Sequence, residues 1–288
     1  MFQIVKKNPL ATNIFSMDIK APRVALSAKP GQFVILIADE KGERIPLTIS
    51  DFNKEEGTVQ VVIQSTGPST KKLALFEEGD MLQDFVGPLG NPSNFIYEDI
   101  ETLRNKNFIF VAGGVGAAPV YPQVKWLHSH GIDVDVIVGS KTKDSLILTE
   151  KLKSVSKNLY ITTDDGTFGF HGMVTACLED LIENKGKKYD QCVAIGPMIM
   201  MKFTCLTTEK YNLPTTVSLN PIMVDGTGMC GACRCTVNGK TKFACVQGPE
   251  FDGHLVDFDE AMKRQMQYKD VEKTKGYCQL NDKVEVAR

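Results

Sequence analysis

The chain has 288 residues, of which 42% are hydrophobic and 24% charged, with a formal net charge of −2. This is the composition of an ordinary globular protein, and the length predicts two domains with room for a small third. The balanced charge gives no electrostatic reason to expect nucleic acid or an anionic membrane as a partner, and no run of residues approaches the ~18 apolar residues that cross a bilayer.

The cysteine content and the first residues indicate a compartment. There are eight cysteines, and the segment MFQIVKKNPL lacks the apolar stretch of a signal peptide. In the reducing cytoplasm, where we expect the protein, cysteines bind metals more often than they form disulfides. Four cysteines stand apart from the others and are expected to be packing residues: Cys177, Cys192, Cys205 and Cys278.

Residues 1–97 are predicted to be all-β. Short apolar runs such as FQIVKK, QFVILIAD and VQVVIQ alternate with Gly- and Pro-containing turns such as KPGQ and KEEGT. Strands with this spacing are typical of a small antiparallel barrel or sandwich.

Two segments of this β-rich part carry polar groups suited to a ligand. In GERIPLTISD, Arg44 can pair with a phosphate and Thr48 can donate its hydroxyl to a ring nitrogen. In the turn that enters the next helix, Gly67, Ser69 and Thr70 offer free N–H groups and hydroxyls to an anion. Taken singly, these residues are also compatible with a surface arginine, a strand threonine and a helix N-cap.

From about residue 98 to 217 the pattern changes to strands that alternate with helices. NFIFVAG, DVDVIVGSK, NLYITTDDG and QCVAIGP are predicted strands, and the segments between them have helical character. This alternation predicts βαβ units with a parallel sheet, and therefore a nucleotide-binding α/β domain.

The ends of two of these strands are predicted to bind a dinucleotide. Glycines allow the backbone to approach a pyrophosphate at the start of the following helix, although a mere tight strand–helix turn would use them too. Met198 either reaches the ligand or belongs to the helix core. The residues of this predicted edge are Gly113, Gly114, Gly116, Gly196, Pro197 and Met198.

Residues 218–288 contain the most informative segment, DGTGMCGACRCTVNGKTKFAC. Cys230, Cys233 and Cys245 form a C-x2-C-x11-C array, and Asp225 lies where plant-type 2Fe–2S ferredoxins have their first cysteine. Cys235 offers an alternative fourth thiolate, which would suit a structural zinc site, and reduced thiols without a metal are the remaining interpretation. A carboxylate ligand is harder than a thiolate, so an altered reduction potential is expected.

The order of these motifs resembles the ferredoxin–NADP reductase superfamily, which combines an R-x-P-L-[ST] strand with G-x-x-[ST], G-G-x-G-x-x-P and G-P-x-x-M. With the cysteine segment and VQGPEFDGHLVDF, the chain is similar to the electron-transfer-subunit family of dihydroorotate dehydrogenase. Within that family it most resembles the small subunits of NADH-dependent reduced ferredoxin:NADP oxidoreductases, for which an aspartate cluster ligand is expected.

The resemblance implies an FAD-binding barrel (1–97), an NAD(P)-binding α/β domain (98–217) and a 2Fe–2S domain with a tail (218–288). It implies that FAD is lined by Arg44, Pro46, Leu47 and Thr48 and has its pyrophosphate at Gly67, Ser69 and Thr70, with Thr48 closest to the chemistry. It implies that NAD(H), rather than NADP(H), binds at Gly113, Gly114, Gly116, Gly196, Pro197 and Met198, and that the cluster ligands are Asp225, Cys230, Cys233 and Cys245.

The function implied is that of an NAD(P)H-dependent oxidoreductase subunit. It would move electrons between NAD(H), FAD and the cluster, and then to a larger subunit with its own flavin and iron–sulfur centres, in an electron-bifurcating enzyme that also serves ferredoxin. The alternatives are the electron-transfer subunit of dihydroorotate dehydrogenase, a subunit of a cytoplasmic hydrogenase or sulfur reductase, and a zinc-stabilised nucleotide-sensing module.

Overall fold

In a computed structural model of the protein, which describes residues 1–268, the N-terminal part forms one antiparallel sheet of seven strands in the order β6-β1-β2-β5-β4-β3-β7. The two edge strands are joined by Gln83 alone, so the sheet curls into a nearly closed barrel, as the sequence predicts. The strands are β1 (Phe2–Ala11), β2 (Ile14–Lys20), β3 (Phe33–Ile37), β4 (Ile45–Asn53), β5 (Thr58–Gln64), β6 (Met81–Leu82) and β7 (Asp84–Leu89).

Alternating side chains fill this barrel. On β5, Val59, Val61 and Ile63 are fully buried, which is the period-two pattern of a strand with one face on the core. Two short helices, α1 (Pro22–Ser27) and α2 (Pro68–Ala74), connect strands of the barrel.

The second sheet is the predicted α/β domain. Its order is β11-β10-β9-β8-β12-β13-β16, with parallel pairing from β11 to β13. Every residue of β8 is buried, as expected for a parallel strand covered on both faces. The strands are β8 (Phe108–Gly113), β9 (Val134–Ser140), β10 (Asn158–Thr163), β11 (Phe170–His171), β12 (Gln191–Ile195) and β13 (Thr215–Ser218).

Helices cover both faces of this sheet. α4 and α5 pack on one hydrophobic core, whereas α6 and α7 pack on another. The helices are α3 (Ile100–Arg104), α4 (Ala117–Ser129), α5 (Thr149–Val155), α6 (Val174–Glu183) and α7 (Met198–Glu209), and the 3₁₀ turns are Asn94–Tyr97, Gly114–Gly116, Lys143–Ser145 and Gly253–Leu255.

The cysteine-containing part is a small module attached to the second sheet. It contains a hairpin of β14 (Arg234–Val237) and β15 (Lys240–Phe243), then α8 (Ala244–Gln247), β16 (Glu250–Asp252) and α9 (Phe258–Gln265). β16 pairs antiparallel with β13, so the module extends the α/β sheet by one strand, which the sequence pattern does not indicate.

Two expectations concern the limits of the described chain. No helix within residues 1–268 has the length and apolar character to cross a membrane. Cys278 and the tail from residue 269 onward, assigned by the sequence to the third domain, lie outside the described residues.

Candidate redox site

The barrel face predicted for the flavin lies next to the cysteine module. β3 and β4 pair so that Phe33 is opposite Thr48 and Ile35 is opposite Pro46. Leu47 packs against the barrel core, so the alternation of a strand places Pro46 and Thr48 on the outer face. Phe33 and Ile35 on that same face belong to the hydrophobic core that contains the buried cysteines. The outer face that carries Thr48 is therefore next to the module, whereas Leu47 faces the barrel core.

The turn predicted to hold a pyrophosphate is shaped by its own hydroxyls. Thr70 Oγ1 accepts hydrogen bonds from the N–H groups of Thr66 (3.0 Å) and Gly67 (3.1 Å), which fixes the entry into α2. Ser69 donates its hydroxyl to the Glu43 carboxylate. Within residues 1–268, no heavy atom other than those of Gly67 and its chain neighbours lies within 4 Å of the position where a Cβ of Gly67 would stand, so the backbone there is open.

The guanidinium of Arg44 donates hydrogen bonds to the backbone of the cluster loop. Its Nε donates to the carbonyl of Val224 at 3.0 Å, and its Nη2 donates to the carbonyl of Asp225 at 2.8 Å. The arginine at the start of β4 thus holds the loop that carries the predicted cluster ligands.

At the nucleotide edge, two glycines of the β8 turn have different physical roles. A Cβ on Gly116 would lie 2.1 Å from the carbonyl oxygen of Ile195, so only glycine allows the turn to pack on β12. Gly114 has φ of +55° and open space around it. It therefore offers the accessible, side-chain-free backbone that a pyrophosphate approaches.

The remaining residues of this edge pack around one methionine. A Cβ on Gly113 would lie 2.4 Å from Met200 Sδ, and a Cβ on Gly196 would lie 3.0 Å from the same atom. Pro197 precedes α7 directly. Met198 is 4% exposed and belongs to the core, although it also lines a cavity of about 240 Å³ that extends to Cys230.

The ends of β9 and β10 meet beyond the nucleotide loop. The N–H of Asp165 donates to the carbonyl of Lys141 at 3.2 Å, and Lys143 Nζ lies 5.3 Å from the centre of the Phe168 ring. Hydrogen bonds from the hydroxyl and the N–H of Thr167 lower the pKa of Asp165, which keeps this carboxylate charged. The two lysines therefore share their surface with an anionic side chain.

The structure brings two predicted cluster ligands into contact. The sulfurs of Cys233 and Cys245 are 3.1 Å apart, and both residues are 2% exposed. Cys230 lies on the exposed side of the same module. Within residues 1–268, no three His, Cys, Asp or Glu side chains come together as a metal-binding group, so the four predicted ligands are near one another in the chain but are not all gathered.

Asp225 and Cys230 occupy one loop and are both held by backbone N–H groups. The Asp225 carboxylate accepts from the N–H of Thr227 at 2.9 Å and from its hydroxyl, which lowers its pKa. The N–H of Ala232, 3.5 Å from Cys230 Sγ, lowers the pKa of that thiol. The loop thus favours the charged form of both groups.

Cys235 belongs to a different environment. It lies on β14, 2% exposed, with Sγ directed at the carbonyl of Lys242 across the hairpin at 3.7 Å. Burial raises its pKa to about 11. Burial likewise raises the pKa of Cys245 to about 12, but Cys245 Sγ lies against Cys233 Sγ, whereas Cys235 Sγ approaches a carbonyl of its own hairpin.

These residues fit a small iron–sulfur cluster. Thiolates are the ligands of such clusters, and hydrogen bonds to sulfur tune their potentials. The N–H of Cys245 lies 3.5 Å from Cys233 Sγ, adding to the contact at Cys230. Gly226, Gly228 and Gly231 have φ of +83°, +92° and +66°, so the loop follows a path that residues with a side chain rarely take.

Sequence reasoning missed a buried polar group where the three parts of the molecule meet. The Glu250 carboxylate accepts from Ser93 Oγ at 2.8 Å and from Gln123 Nε2 at 2.9 Å. Ser93 follows the barrel, Gln123 is on α4 and Glu250 is on β16. Burial raises the pKa of Glu250 to about 7. The segment VQGPEFDGHLVDF contains Glu250, but the neighbouring residues in the sequence do not indicate that its side chain is buried.

Comparison with known proteins extends this picture. The profile of the iron–sulfur cluster binding domain of dihydroorotate dehydrogenase B matches residues 220–257. An uncharacterized protein from the adh 3′ region of Clostridium beijerinckii is 66% identical, covering 97% of this chain and 94% of that protein. A homolog of the dihydroorotate dehydrogenase B (NAD(+)) electron transfer subunit from Thermotoga maritima is 48% identical, covering 94% of this chain and 93% of that protein.

A solved structure of an NADH-dependent reduced ferredoxin-NADP oxidoreductase, described in connection with flavin-based electron bifurcation, superimposes with a TM-score of 0.88. It is 46% identical, and the match covers 96% of each chain. All three parts of the molecule are therefore present in this relative in the same arrangement.

Proposed function

The chain belongs to the electron-transfer-subunit family of dihydroorotate dehydrogenase B, an oxidoreductase family, and from this membership we propose that it moves electrons between NAD(H), FAD and a 2Fe–2S cluster. The observation that carries the proposal is a shared core. Ile35 beneath the barrel face, Met198 at the nucleotide edge, and Cys233 and Cys245 in the module are all buried in one hydrophobic core.

The chemistry divides between the cofactors and the residues that hold them. When bound, FAD takes two electrons from a reduced nicotinamide and hands them on singly to a cluster that accepts one. Thr48 presents its hydroxyl to the ring from the outer barrel face, and the open backbone at Gly67 and Gly114 receives the two pyrophosphates. Cys230, Cys233 and Cys245 supply thiolates to the cluster, and Asp225 supplies the fourth ligand.

The surface around Cys230 supports an exit for electrons to a partner. Three apolar side chains, which we call the apolar rim, surround the cluster loop: Val224 is 53% exposed, Met229 88% and Val246 42%. Exposed apolar side chains grouped in one place commonly mark a protein interface. We assign this surface to a larger subunit that carries flavin and iron–sulfur centres.

The charges at the ends of β9 and β10 support NADH as the coenzyme. The N–H of Asp165 donates to the carbonyl of Lys141, so a charged carboxylate belongs to the same pair of turns as Lys141 and Lys143, and it disfavours a 2′-phosphate there because like charges repel. The 2′-hydroxyl of NADH carries no charge and avoids this repulsion.

The complete enzyme that we propose is an electron-bifurcating NADH-dependent ferredoxin:NADP oxidoreductase, in which the larger subunit oxidises NADPH and reduces ferredoxin. The support is the 46% identical structure that matches the chain over nearly its whole length. The second candidate is the electron-transfer subunit of an orotate-forming enzyme, which the name of the Thermotoga maritima relative favours. Asp225 stands where plant-type ferredoxins have their first cluster cysteine, and this substitution favours the bifurcating enzyme.

Isolation of the native complex tests the proposal. A tagged full-length chain, recovered from its own cells without oxygen, is expected to bring one larger protein that contains flavin and iron and oxidises NADPH. Recovery of an orotate-forming flavoprotein would contradict the bifurcating assignment. Met229→Asp is expected to lose the larger protein, whereas Leu26→Asp, which changes an apolar residue that is 67% exposed on α1, is expected to retain it.

A further inference from the structure

Arg44 connects two parts of the molecule that are far apart in the sequence. It precedes β4 of the barrel, and its guanidinium reaches the carbonyls of Val224 (3.0 Å) and Asp225 (2.8 Å) in the cluster loop. The resemblance places Arg44 on the flavin. The structure instead commits two of its N–H groups to backbone acceptors some 180 residues later in the chain.

The planar guanidinium of Arg44 presents its N–H donors in a fixed arrangement. Two neighbouring nitrogens of a planar group donate to the carbonyls of consecutive residues, which fixes the two peptide units on either side of the Asp225 Cα. A lysine has the same charge but cannot reproduce two donors at a fixed angle. Arg44 is half-buried where it makes these bonds.

The loop that Arg44 holds lies closely against the barrel. A Cβ on Gly226, the next residue, would lie 2.9 Å from Ile35 Cγ1 and 3.3 Å from Leu89 Cδ1. Gly226 also has φ of +83°, so the chain turns sharply directly after the two residues whose carbonyls Arg44 binds. Val224, Asp225 and Gly226 are therefore fixed to the barrel by two hydrogen bonds and one close apolar contact.

This attachment determines the position of a proposed ligand. While the Asp225 carbonyl is bound by Arg44, the Asp225 carboxylate accepts from the N–H groups of Thr227 (2.9 Å) and Met229 (3.4 Å), the residue before Cys230. We propose that Arg44 is a positioning residue that anchors the two peptide units flanking Asp225 to the barrel, so that Asp225 and Cys230 reach the same cluster. The inference rests on the proposed function, because it takes Asp225 as a cluster ligand.

The test compares Arg44→Lys and Arg44→Gln with the wild type, in the full-length chain purified without oxygen. FAD content, iron content, the EPR spectrum of the reduced protein and the rate of iron loss to a chelator are measured. Both variants are expected to keep FAD, to show altered g-values, and to lose iron about tenfold faster, as is typical when a group that orients a ligand is removed. Arg23→Lys and Arg23→Gln, at an exposed arginine on α1, are the matched controls.

The outcomes separate this inference from the proposed function. Loss of FAD from both Arg44 variants, with unchanged g-values, would overturn the inference and assign Arg44 to the flavin. Full restoration of the wild-type spectrum by Arg44→Lys would also overturn it, because the charge alone would then suffice. A wild-type chain that binds no iron would instead refute the proposed function.

A measurement on metal-free protein keeps the test independent of cluster assembly. Amide hydrogen exchange in residues 224–231 is expected to be faster in Arg44→Gln than in the wild type, with unchanged exchange in β14 and β15. Equal exchange in the two proteins would contradict the anchoring role.

Discussion

The nucleotide edge and the cluster loop are both rich in glycine, but Gly116 in the first and Gly231 in the second are required for different reasons. At the nucleotide edge, Gly116 is required by the protein itself, because a Cβ there would lie 2.1 Å from the carbonyl oxygen of Ile195. In the cluster loop, Gly231 has φ of +66°, and a Cβ there would lie at an ordinary contact distance of 3.5 Å from Phe243 Cε1, so the backbone conformation rather than the packing favours glycine. Close packing therefore requires glycine at Gly116, whereas a left-handed backbone conformation favours it at Gly231.

The largest effect is expected from the removal of one thiol of the cluster loop. Cys233→Ala is expected to abolish the 2Fe–2S cluster while FAD remains bound, because the barrel does not depend on the thiol. Absorbance, iron content and flavin content measure the outcome. Cys235→Ala is the matched control: it removes an equally buried thiol whose sulfur approaches the carbonyl of Lys242 on its own hairpin, and the cluster is expected to survive. A cluster that survives in Cys233→Ala, or is lost only in Cys235→Ala, would overturn the ligand set.

The packing side of the comparison is tested at Gly116. Gly116→Ala is expected to lower the free energy of unfolding by about 3 kcal/mol, because overpacking forces the backbone of the β8 turn away from β12. Gly114→Ala is the control, since its surroundings are open and only the strain of a positive φ remains, about 1–2 kcal/mol. Urea unfolding measures both variants, and an equal loss in the two would show that the contact with Ile195 does not constrain the turn.

The junction between the three parts predicts a pH dependence. The pKa of Glu250 is raised by burial from 4.5 to about 7. Below pH 4.5 the carboxyl is protonated in both folded and unfolded chains, so its contribution to stability is fully present. Between pH 4.5 and 7 the unfolded chain ionises first, and stability is lost until the folded pKa is passed, by at most about 3 kcal/mol.

Glu250→Gln isolates this effect, because glutamine remains neutral. The unfolding free energies of wild type and Glu250→Gln are expected to diverge as the pH rises from 5 to 8, with the variant retaining more stability. Glu55→Gln, in an exposed turn, controls for the general effect of removing a carboxylate. Parallel curves for wild type and Glu250→Gln would show that the carboxyl is not buried as described.

The smallest effect is expected from a substitution at the predicted coenzyme site. Lys141→Ala should change NADH affinity little, because a lysine in this turn would serve the 2′-phosphate that NADH lacks. Titration with NADH and NADPH measures this. A large loss of NADPH affinity with unchanged use of NADH would overturn the coenzyme assignment.

Local patterns in the sequence predicted most of the architecture, whereas long-range contacts remained outside their reach. The buried run FIFVAG and the alternation of VQVVIQ reflect the burial of neighbouring residues, so β8 and β5 were predictable. The addition of β16 to the α/β sheet depends on contacts between distant segments. The hydrogen bonds of Arg44 to Val224 and Asp225 also bridge about 180 residues, which no motif records.

The candidate site shows the same division. The spacing of Cys230, Cys233 and Cys245 predicted a common centre, and the structure places two of these sulfurs 3.1 Å apart. The spacing could not distinguish Cys235, whose hairpin environment becomes evident only in three dimensions. The ligand roles of all four cluster residues, and those of the FAD and nucleotide residues, stay predictions until cofactors are measured.

The central claim is that nicotinamide, flavin and cluster are connected within this one chain. It is tested most directly by low-temperature EPR of the anaerobically purified protein after addition of NADH alone. The account predicts rapid bleaching of flavin absorbance together with the signal of a reduced 2Fe–2S cluster. Bleaching of the flavin with no cluster signal, in a protein shown to contain iron, would contradict it.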